Sequence, residues 1–119
     1  MTQHEQSGDE YYSEERCFIT ELHNTPQDPN ASIARARVEP GVTTKWHKLN
    51  GTVERYLILG GTGIAETGDG GETAMSAGDS LTIPADVTQR ITNTGSDDLI
   101  FLCVCTPRFE WENYSSLED

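Results

Sequence analysis

The chain has 119 residues and a net charge of -12, with 20 acidic and 8 basic residues. This length fits a single domain with one sizeable core. The negative charge argues against nucleic acid and anionic membrane surfaces as partners. No apolar run approaches the ~20 residues that span a bilayer. The N-terminus lacks the features of a signal peptide, so we expect a cytoplasmic protein.

The acidic residues are concentrated at the two ends of the chain. The first 16 residues carry five acids and one arginine, and residues 108–119 carry four acids and one arginine. Neither end has a periodic apolar face, which is typical of solvated, partly mobile segments. We therefore expect an acidic N-terminal arm over residues 1–16, a central domain over residues 17–107 and an acidic tail over residues 108–119.

The central domain has the pattern of short strands divided by turn residues, with almost no helical periodicity. This pattern predicts an all-β sandwich or barrel. The last strand is apolar on both faces, which predicts burial on both sides. The predicted strands cover residues 18–22, 32–38, 43–49, 54–59, 64–67, 73–75, 80–83, 88–93 and 99–105.

Three cysteines are present, at Cys17, Cys103 and Cys105. An odd number in a chain without an export signal favours free thiols. Cys103 and Cys105 are two residues apart in an apolar strand and so share one face of it. Their simplest role is that of small apolar core residues, because cysteine is among the residues most often buried.

Strand alternation decides which polar side chains can meet in the predicted interior. Lys45, His47 and Leu49 share one face of their strand, and Glu54 and Tyr56 share one face of the next. If His47 and Glu54 both point inward, an imidazole nitrogen and a carboxylate converge across one turn. Ligands of these types suit Zn, Fe, Mn or Ni.

The stretch from Gly41 to Gly61 resembles the first sequence motif of the cupins, G-x5-H-x-H-x4-E-x6-G. His47 and Glu54 stand at the first histidine and the glutamate of that motif. Leu49 stands where the motif has its second histidine.

A second stretch is similar to the other cupin motif, G-x5-P-x-G-x2-H-x3-N. Gly78, Pro84 and Asn93 match its glycine, proline and asparagine positions. Asp86 replaces the glycine that follows the proline, and Gln89 replaces the histidine. The two motifs are in the expected order, with a short hairpin between them, so together they point to one fold.

The resemblance covers roughly residues 31–107 and implies a single-domain cupin, an all-β double-stranded β-helix of the jelly-roll type. It also implies a homodimer. The usual cupin metal set of three histidines and one glutamate, carried over position by position, leaves His47, Glu54 and Gln89. Because an amide oxygen is a weaker ligand than imidazole, we expect these three residues to hold a divalent ion (Zn, Mn, Ni or Fe) only loosely.

Two functional hypotheses follow from this set of residues, beside a third in which the protein is a purely structural dimer whose interior is filled by Leu, Ile and Cys and has no pocket. In the first, an ion on His47, Glu54 and Gln89 polarises a small polar substrate and Glu54 moves a proton, as in a non-redox isomerase, lyase or epimerase. Tyr56 is then a candidate general acid, while Lys45 and Gln89 are candidate ligand-binding residues. In the second, the interior is metal-free and Gln89 donates to Glu54, so the domain binds or senses a small polar ligand without catalysis. Under that hypothesis Tyr56 is a core residue and Lys45 a solvated rim residue.

Overall fold

The computed structural model describes residues 2–118, which form eleven β-strands and one short 3-10 helix at Trp111–Asn113. The all-β prediction is confirmed. No helix in the described part of the chain is both long and apolar enough to cross a membrane. In chain order the strands are β1 (Tyr11–Tyr12), β2 (Phe18–His23), β3 (Ser32–Val38), β4 (His47–Leu49), β5 (Val53–Gly60), β6 (Thr62–Thr67), β7 (Gly71–Ser76), β8 (Ser80–Ile83), β9 (Gln89–Asn93), β10 (Leu99–Thr106) and β11 (Tyr114–Ser116).

The strands form two antiparallel sheets with the core between them. The first sheet has six strands in the order β1-β2-β3-β10-β5-β8, and the second has five in the order β11-β4-β9-β6-β7. From β3 onward the chain alternates between the two sheets except at the β6–β7 hairpin, which is the jelly-roll arrangement. Strand pairing among residues 2–118 does not join the sheets into one ring, so the barrel expected from the sequence takes the form of a two-sheet sandwich.

All nine predicted strands form, one of them in shortened form. The strand predicted over residues 43–49 is regular only at β4, because the Lys45 N–H donates to the carbonyl oxygen of Glu15 (3.2 Å) and not to a neighbouring strand. Thr43 keeps a single isolated bridge to Thr92. The strands that were not predicted, β1 and β11, have two and three residues, too few to display an alternating pattern.

Both acidic ends contact the sandwich. β1 pairs with β2, and β11 pairs with β4. An ion pair between Arg16 and Glu118 links one end to the other, and Glu118 also accepts the Trp46 N–H. The division of the chain at residues 16–17 and 107–108 stays a prediction, and the terminal residues of the two proposed segments, Met1 and Asp119, lie outside the described residues.

β10 is apolar on both faces but fully buried on only one. Leu99 and Phe101 point between the sheets and are buried, whereas Ile100, Leu102 and Val104 on the outer face are only half-buried. The expectation of burial on both sides is therefore met on the inner face alone in a single chain.

Candidate functional site

His47, the first residue of β4, lies in the interior with 2% of its surface exposed. Its Nδ1 atom is 2.6 Å from the carbonyl oxygen of Lys45. A carbonyl oxygen can only accept, so Nδ1 carries the proton. The other ring nitrogen, Nε2, lies 3.1 Å from a carboxylate oxygen of Glu15. The backbone thus assigns the tautomer of His47 and leaves Nε2 to share a proton with Glu15.

Glu15 comes from the tight turn between β1 and β2. Its N–H donates to the Ser13 hydroxyl (3.2 Å), and the Ser13 N–H donates to the carbonyl oxygen of Cys17 (2.9 Å). With the Lys45 contact described above, these bonds fix the backbone from which the Glu15 side chain enters the interior. Burial raises the pKa of this carboxyl, and the His47 charge offsets only part of that rise.

Glu54 on β5 is buried, and only one of its carboxylate oxygens has a partner. Oε2 is 3.7 Å from the thiol sulfur of Cys105, which donates to it, whereas Oε1 has no hydrogen-bond partner. Burial and, next, repulsion from Glu15 raise the pKa of Glu54 to about 7, against the lowering effects of His47 and the nearby Gln89 amide. The carboxyl therefore exchanges its proton near neutral pH.

Tyr56 and Gln89 form the next layer of the polar interior. Tyr56 lies on the same face of β5 as Glu54, and its hydroxyl donates a short hydrogen bond to Oε1 of Gln89. Burial, reinforced by the charge of Glu54, raises the pKa of Tyr56 well above its ordinary value. No hydrogen bond of normal geometry joins Gln89 to Glu54, since Oε1 of Glu54 is unpartnered.

Two small cavities meet at Glu15 and Glu54, which line both of them. The first, of about 30 Å³, has room for roughly two water molecules and extends past Cys103 to Tyr11 and Trp111. Because Tyr11 is 38% exposed and Trp111 is 40% exposed, these rings form the outer end of the cavity, which we call the mouth. The second cavity, of about 20 Å³, lies deeper, against Tyr56 and Phe101.

The three residues predicted to bind a metal share one interior. His47, Glu54 and Gln89 are all buried, as is Tyr56. Lys45, the fifth predicted site residue, is half-buried and lines neither cavity. The roles assigned to these five residues stay predictions.

The donor atoms of this set do not fit a divalent ion as they are arranged. Nε2 of His47 is directed at Glu15, and Oε1 of Gln89 is bonded to Tyr56. Within residues 2–118, no group of three or more His, Cys, Asp or Glu side chains has an arrangement that holds a metal. The ion expected from the sequence therefore stays a prediction, and we derive no chemical step through it.

Glu15 and Cys105 are the site residues that the sequence analysis did not identify. Glu15 was assigned to a solvated acidic arm, and Cys105 to the apolar core. A signal for Glu15 was present in the sequence, because Tyr11 and Tyr12 interrupt the acidic run and Cys17 follows it. Apolar residues on both sides of an acid are atypical of a solvated tail.

Comparison with known proteins identifies sequences that are similar to this chain. A family model described as a cupin domain matches residues 34–105. The chain is 32% identical over 110 residues to an uncharacterised protein of Methanocaldococcus jannaschii, covering 91% of this chain and 87% of that protein. It is 37% identical over 72 residues to an oxalate-binding protein of Thermotoga maritima, covering 60% of this chain and 59% of that protein.

Solved structures with the same fold include one that is described as an enzyme. Pac13 from Streptomyces, described as a unique nucleoside dehydratase, aligns with a TM-score of 0.80 at 16% identity, over 98% of this chain and 92% of its own. KdgF from a Halomonas species aligns with a TM-score of 0.76 at 15% identity, over 88% and 91% of the two chains. Identities this low support the shared fold alone. The family model matches more than half of the sequence, and the chain therefore belongs to the cupin domain family.

Proposed function

We propose that this cupin binds a small polar molecule at the Glu15–Glu54 end of its interior and moves a proton on it, as a non-redox isomerase, lyase or epimerase does. One observation carries the proposal: the carboxyl of Glu54 is buried, its Oε1 atom has no hydrogen-bond partner, and the residue lines two cavities. A buried polar atom without a partner is costly to keep, and such atoms are concentrated where function requires them.

The proposed chemistry uses Glu54 as the group that gives or takes the proton. A carboxyl with a pKa of about 7 is present in both forms at neutral pH, which suits general acid–base catalysis. Oε1 is the atom free to reach a ligand, because Oε2 accepts from Cys105. The apolar walls that raise this pKa also limit the access of water.

The pair formed by Glu15 and His47 is a second proton-sharing unit in the same space. Nδ1 of His47 is held by Lys45, so proton movement in this pair is confined to the 3.1 Å contact between Nε2 and Glu15. The sequence predicts Tyr56 as a candidate general acid, but its hydroxyl donates a hydrogen bond to Gln89. We therefore assign Tyr56 a positioning role for the Gln89 amide.

The relatives make such a function reasonable. The description of Pac13 as a nucleoside dehydratase indicates that lyase chemistry occurs on this fold. The description of the Thermotoga maritima relative as oxalate-binding indicates that a protein similar to this chain over 72 residues binds a small molecule. Neither description names the ligand of this chain, and the cytoplasmic location remains a prediction from the sequence.

A second candidate is a binding module without catalysis. It is favoured by the two internal bonds, His47–Glu15 and Tyr56–Gln89, which already engage most polar groups of the interior. A third arrangement, an ion held loosely by His47, Glu54 and Gln89, requires both of these bonds to rearrange. The three alternatives differ in whether turnover occurs and in whether it requires an added metal.

The experiment is a ligand-observed NMR screen of sugars, hydroxy acids, amines and nucleosides in D₂O, with chelator or with added Zn, Mn, Ni or Fe. We expect a bound compound to exchange carbon-bound hydrogen for deuterium, or to lose water, in the presence of chelator. Glu54→Gln should not exchange even when the compound is saturating, whereas Glu39→Gln, which removes the same charge from an exposed turn, should behave as the wild type. Exchange by Glu54→Gln at the wild-type rate would contradict the role of Glu54, and exchange only with added metal would support the ion.

We also propose that the outer face of the six-stranded sheet joins two copies of the chain. Leu57 and Leu102 are register partners on this face, and Leu59 beside them is 50% exposed. Arg35 and Arg55 lie on the same face, so here a second copy with a charge of -12 meets the least repulsion. A two-fold contact would bury the same patch on both copies.

Sedimentation equilibrium tests the dimer. The wild type should sediment as a dimer at micromolar concentration, and Leu57→Lys with Leu102→Lys should sediment as a monomer that keeps the wild-type circular dichroism spectrum. A wild type that remains monomeric under these conditions would contradict the assignment.

A further inference from the structure

The lining of the larger cavity has an unusual charge balance. Three of its residues are glutamates, Glu15, Glu21 and Glu54, and no lysine, arginine or histidine is among its lining residues in the described chain. Burial raises the pKa of all three carboxyls. The His47 imidazole pairs with Glu15 at 3.1 Å but does not line the cavity. The lining thus has three carboxyl groups and, in the described chain, no basic side chain.

The mouth of the same cavity is aromatic. Tyr11, Phe109 and Trp111 line it, and the rings of Phe109 and Trp111 meet edge to face with centroids 4.9 Å apart. The two chain ends supply these rings, since Tyr11 belongs to β1 and Trp111 to the 3-10 helix near the C-terminus. Aromatic faces attract organic cations, most strongly when the cation has lost part of its water.

An unpartnered acceptor lies at the inner end of this path. Oε1 of Glu54 has no hydrogen-bond partner, and the residue is more than nine-tenths buried. An anion entering the cavity would bring a second negative charge against Glu54 and Glu15 without a cation to balance it, and this is strongly unfavourable in a poorly hydrated site. A cation would supply the charge and the donor that Glu54 lacks.

We infer that the ligand of this site carries a small organic ammonium group, which binds Glu54 and Glu15 while the rest of the ligand lies against the aromatic rings of the mouth. The inference rests on the proposed function, because it names the ligand class for the same site. The cavity volume of about 30 Å³ fits an ammonium head group and little more. The aromatic mouth favours an organic cation over a hydrated metal ion, which keeps its water shell and gains little from a ring face.

The test compares three probes by calorimetry at neutral pH in the presence of chelator: ethanolamine, propan-1-ol and oxalate. Ethanolamine and propan-1-ol have the same chain length and hydroxyl, and differ in an ammonium group against a methyl group. We expect ethanolamine to bind at least about tenfold more tightly than propan-1-ol, and oxalate to bind more weakly than either. Propan-1-ol or oxalate binding as tightly as ethanolamine would overturn the inference.

Three variants locate the binding. Glu54→Gln should lower the affinity for ethanolamine about tenfold and leave that for propan-1-ol nearly unchanged, because only the charged probe loses an interaction. Trp111→Leu should lower it by a smaller factor. The matched control Glu39→Gln removes one charge from an exposed turn outside the cavity and should leave every affinity unchanged. Equal losses in Glu54→Gln and Glu39→Gln would mean that only net charge attracts the cation, which overturns the site.

Failure of the inference and failure of the proposed function give different results. If ethanolamine does not bind while an anionic or neutral compound binds and exchanges in the wider NMR screen, the ammonium class is wrong and the proposed function stands. If ethanolamine binds with the expected dependence on Glu54 but no amine undergoes exchange or loss of water, the ammonium class stands and the protein is a binding module.

Discussion

The interior between the two sheets is apolar at one end and polar at the other. At one end, Ile58, Ile91 and Leu99 fill the space between the sheets and are essentially inaccessible to water. At the other, on the same strand β5, Glu54 has an unpartnered oxygen beside two cavities. Side chains at both ends are buried, and burial stabilises the fold at one end and raises the pKa of a carboxyl at the other.

This difference indicates that the apolar end is arranged for stability and the polar end for function. Replacing a buried polar group by an apolar one of similar size commonly stabilises a protein, and natural proteins keep such groups mostly at functional sites. The apolar end should therefore lose stability when its residues are reduced in size, and the polar end should gain stability when its charge is removed.

The largest expected effect is a loss at the apolar end. Ile58→Ala should lower the free energy of unfolding by about 3 to 4 kcal/mol, because it removes three carbon atoms from a packed position and leaves a cavity. The matched control is Leu59→Ala, one residue further along β5 on the outer face, where half of the side chain is exposed. Urea denaturation should give a much smaller loss for the control in the monomeric state; similar losses would mean that the inner face is not the core.

The second-largest expected effect is a gain in stability at the polar end. In the unfolded chain the pKa of Glu54 is close to 4.5, and in the folded chain it is about 7. Below pH 4.5 the carboxyl is protonated in both states, so its ionisation does not change the free energy of unfolding. As the pH rises the unfolded state loses the proton first, so Glu54 destabilises the fold increasingly, up to about 3 kcal/mol above pH 7.

Glu54→Gln should therefore be more stable than the wild type above pH 7, by up to about 3 kcal/mol, and nearly equal to it below pH 4.5. Urea denaturation at a series of pH values measures the difference. Glu39→Gln should alter stability by less than about 0.5 kcal/mol throughout, since its side chain is exposed. A Glu54→Gln variant that is less stable than the wild type at high pH would mean that the carboxylate has partners in solution that offset its burial.

A turn beside the apolar end provides the third effect. The Asn93 side chain donates to the carbonyl oxygens of Val38 (2.9 Å) and Asp97 (2.8 Å) and accepts the Gly95 N–H (2.9 Å). Asn93→Ala should cost about 2 kcal/mol, because it leaves buried backbone groups without partners. Thermal unfolding by calorimetry measures it, and a loss below about 0.5 kcal/mol would mean that water replaces the amide at no cost.

The smallest effect concerns the second layer of the polar end. Tyr56→Phe removes the hydroxyl that donates to Gln89 and should cost about 1 kcal/mol in denaturant unfolding. Because the ring keeps its packing against Phe101, whose centroid is 4.7 Å away, little else changes. If the proposed positioning role is right, the same variant should slow the NMR-detected exchange without altering the pH at which its rate is half-maximal. A displaced half-maximal pH would make Tyr56 part of the titrating unit.

Much of the fold was predictable because its strands carry local signals. The turns around Gly68–Gly71 and Thr94–Asp98 are marked by glycine, serine and aspartate, and β9 between them alternates over its five residues. Which of the two expected forms, sandwich or barrel, the strands adopt was not predictable in this way, because local alternation does not determine which strands pair at the edges of the sheets.

The site was predictable only where neighbouring strands carry it. His47, Glu54 and Gln89 follow from alternation and motif spacing, and all three are buried in one interior. The partner of His47 was not predictable, because Glu15 is 32 residues away in an acidic segment whose composition is that of a solvated arm. Long-range contacts made by turns leave no periodic signal in a single sequence.

The titration of the Glu54 carboxyl, followed by carbon-13 NMR on protein labelled at the glutamate side chains and assigned with Glu54→Gln, tests the account most directly. We expect a midpoint of about 7, because burial beside Glu15 raises the pKa of this carboxyl. A midpoint near 4.5, the value of an ordinary glutamate, would contradict it, because the carboxyl would then be hydrated or fully partnered and would have no proton to exchange at neutral pH.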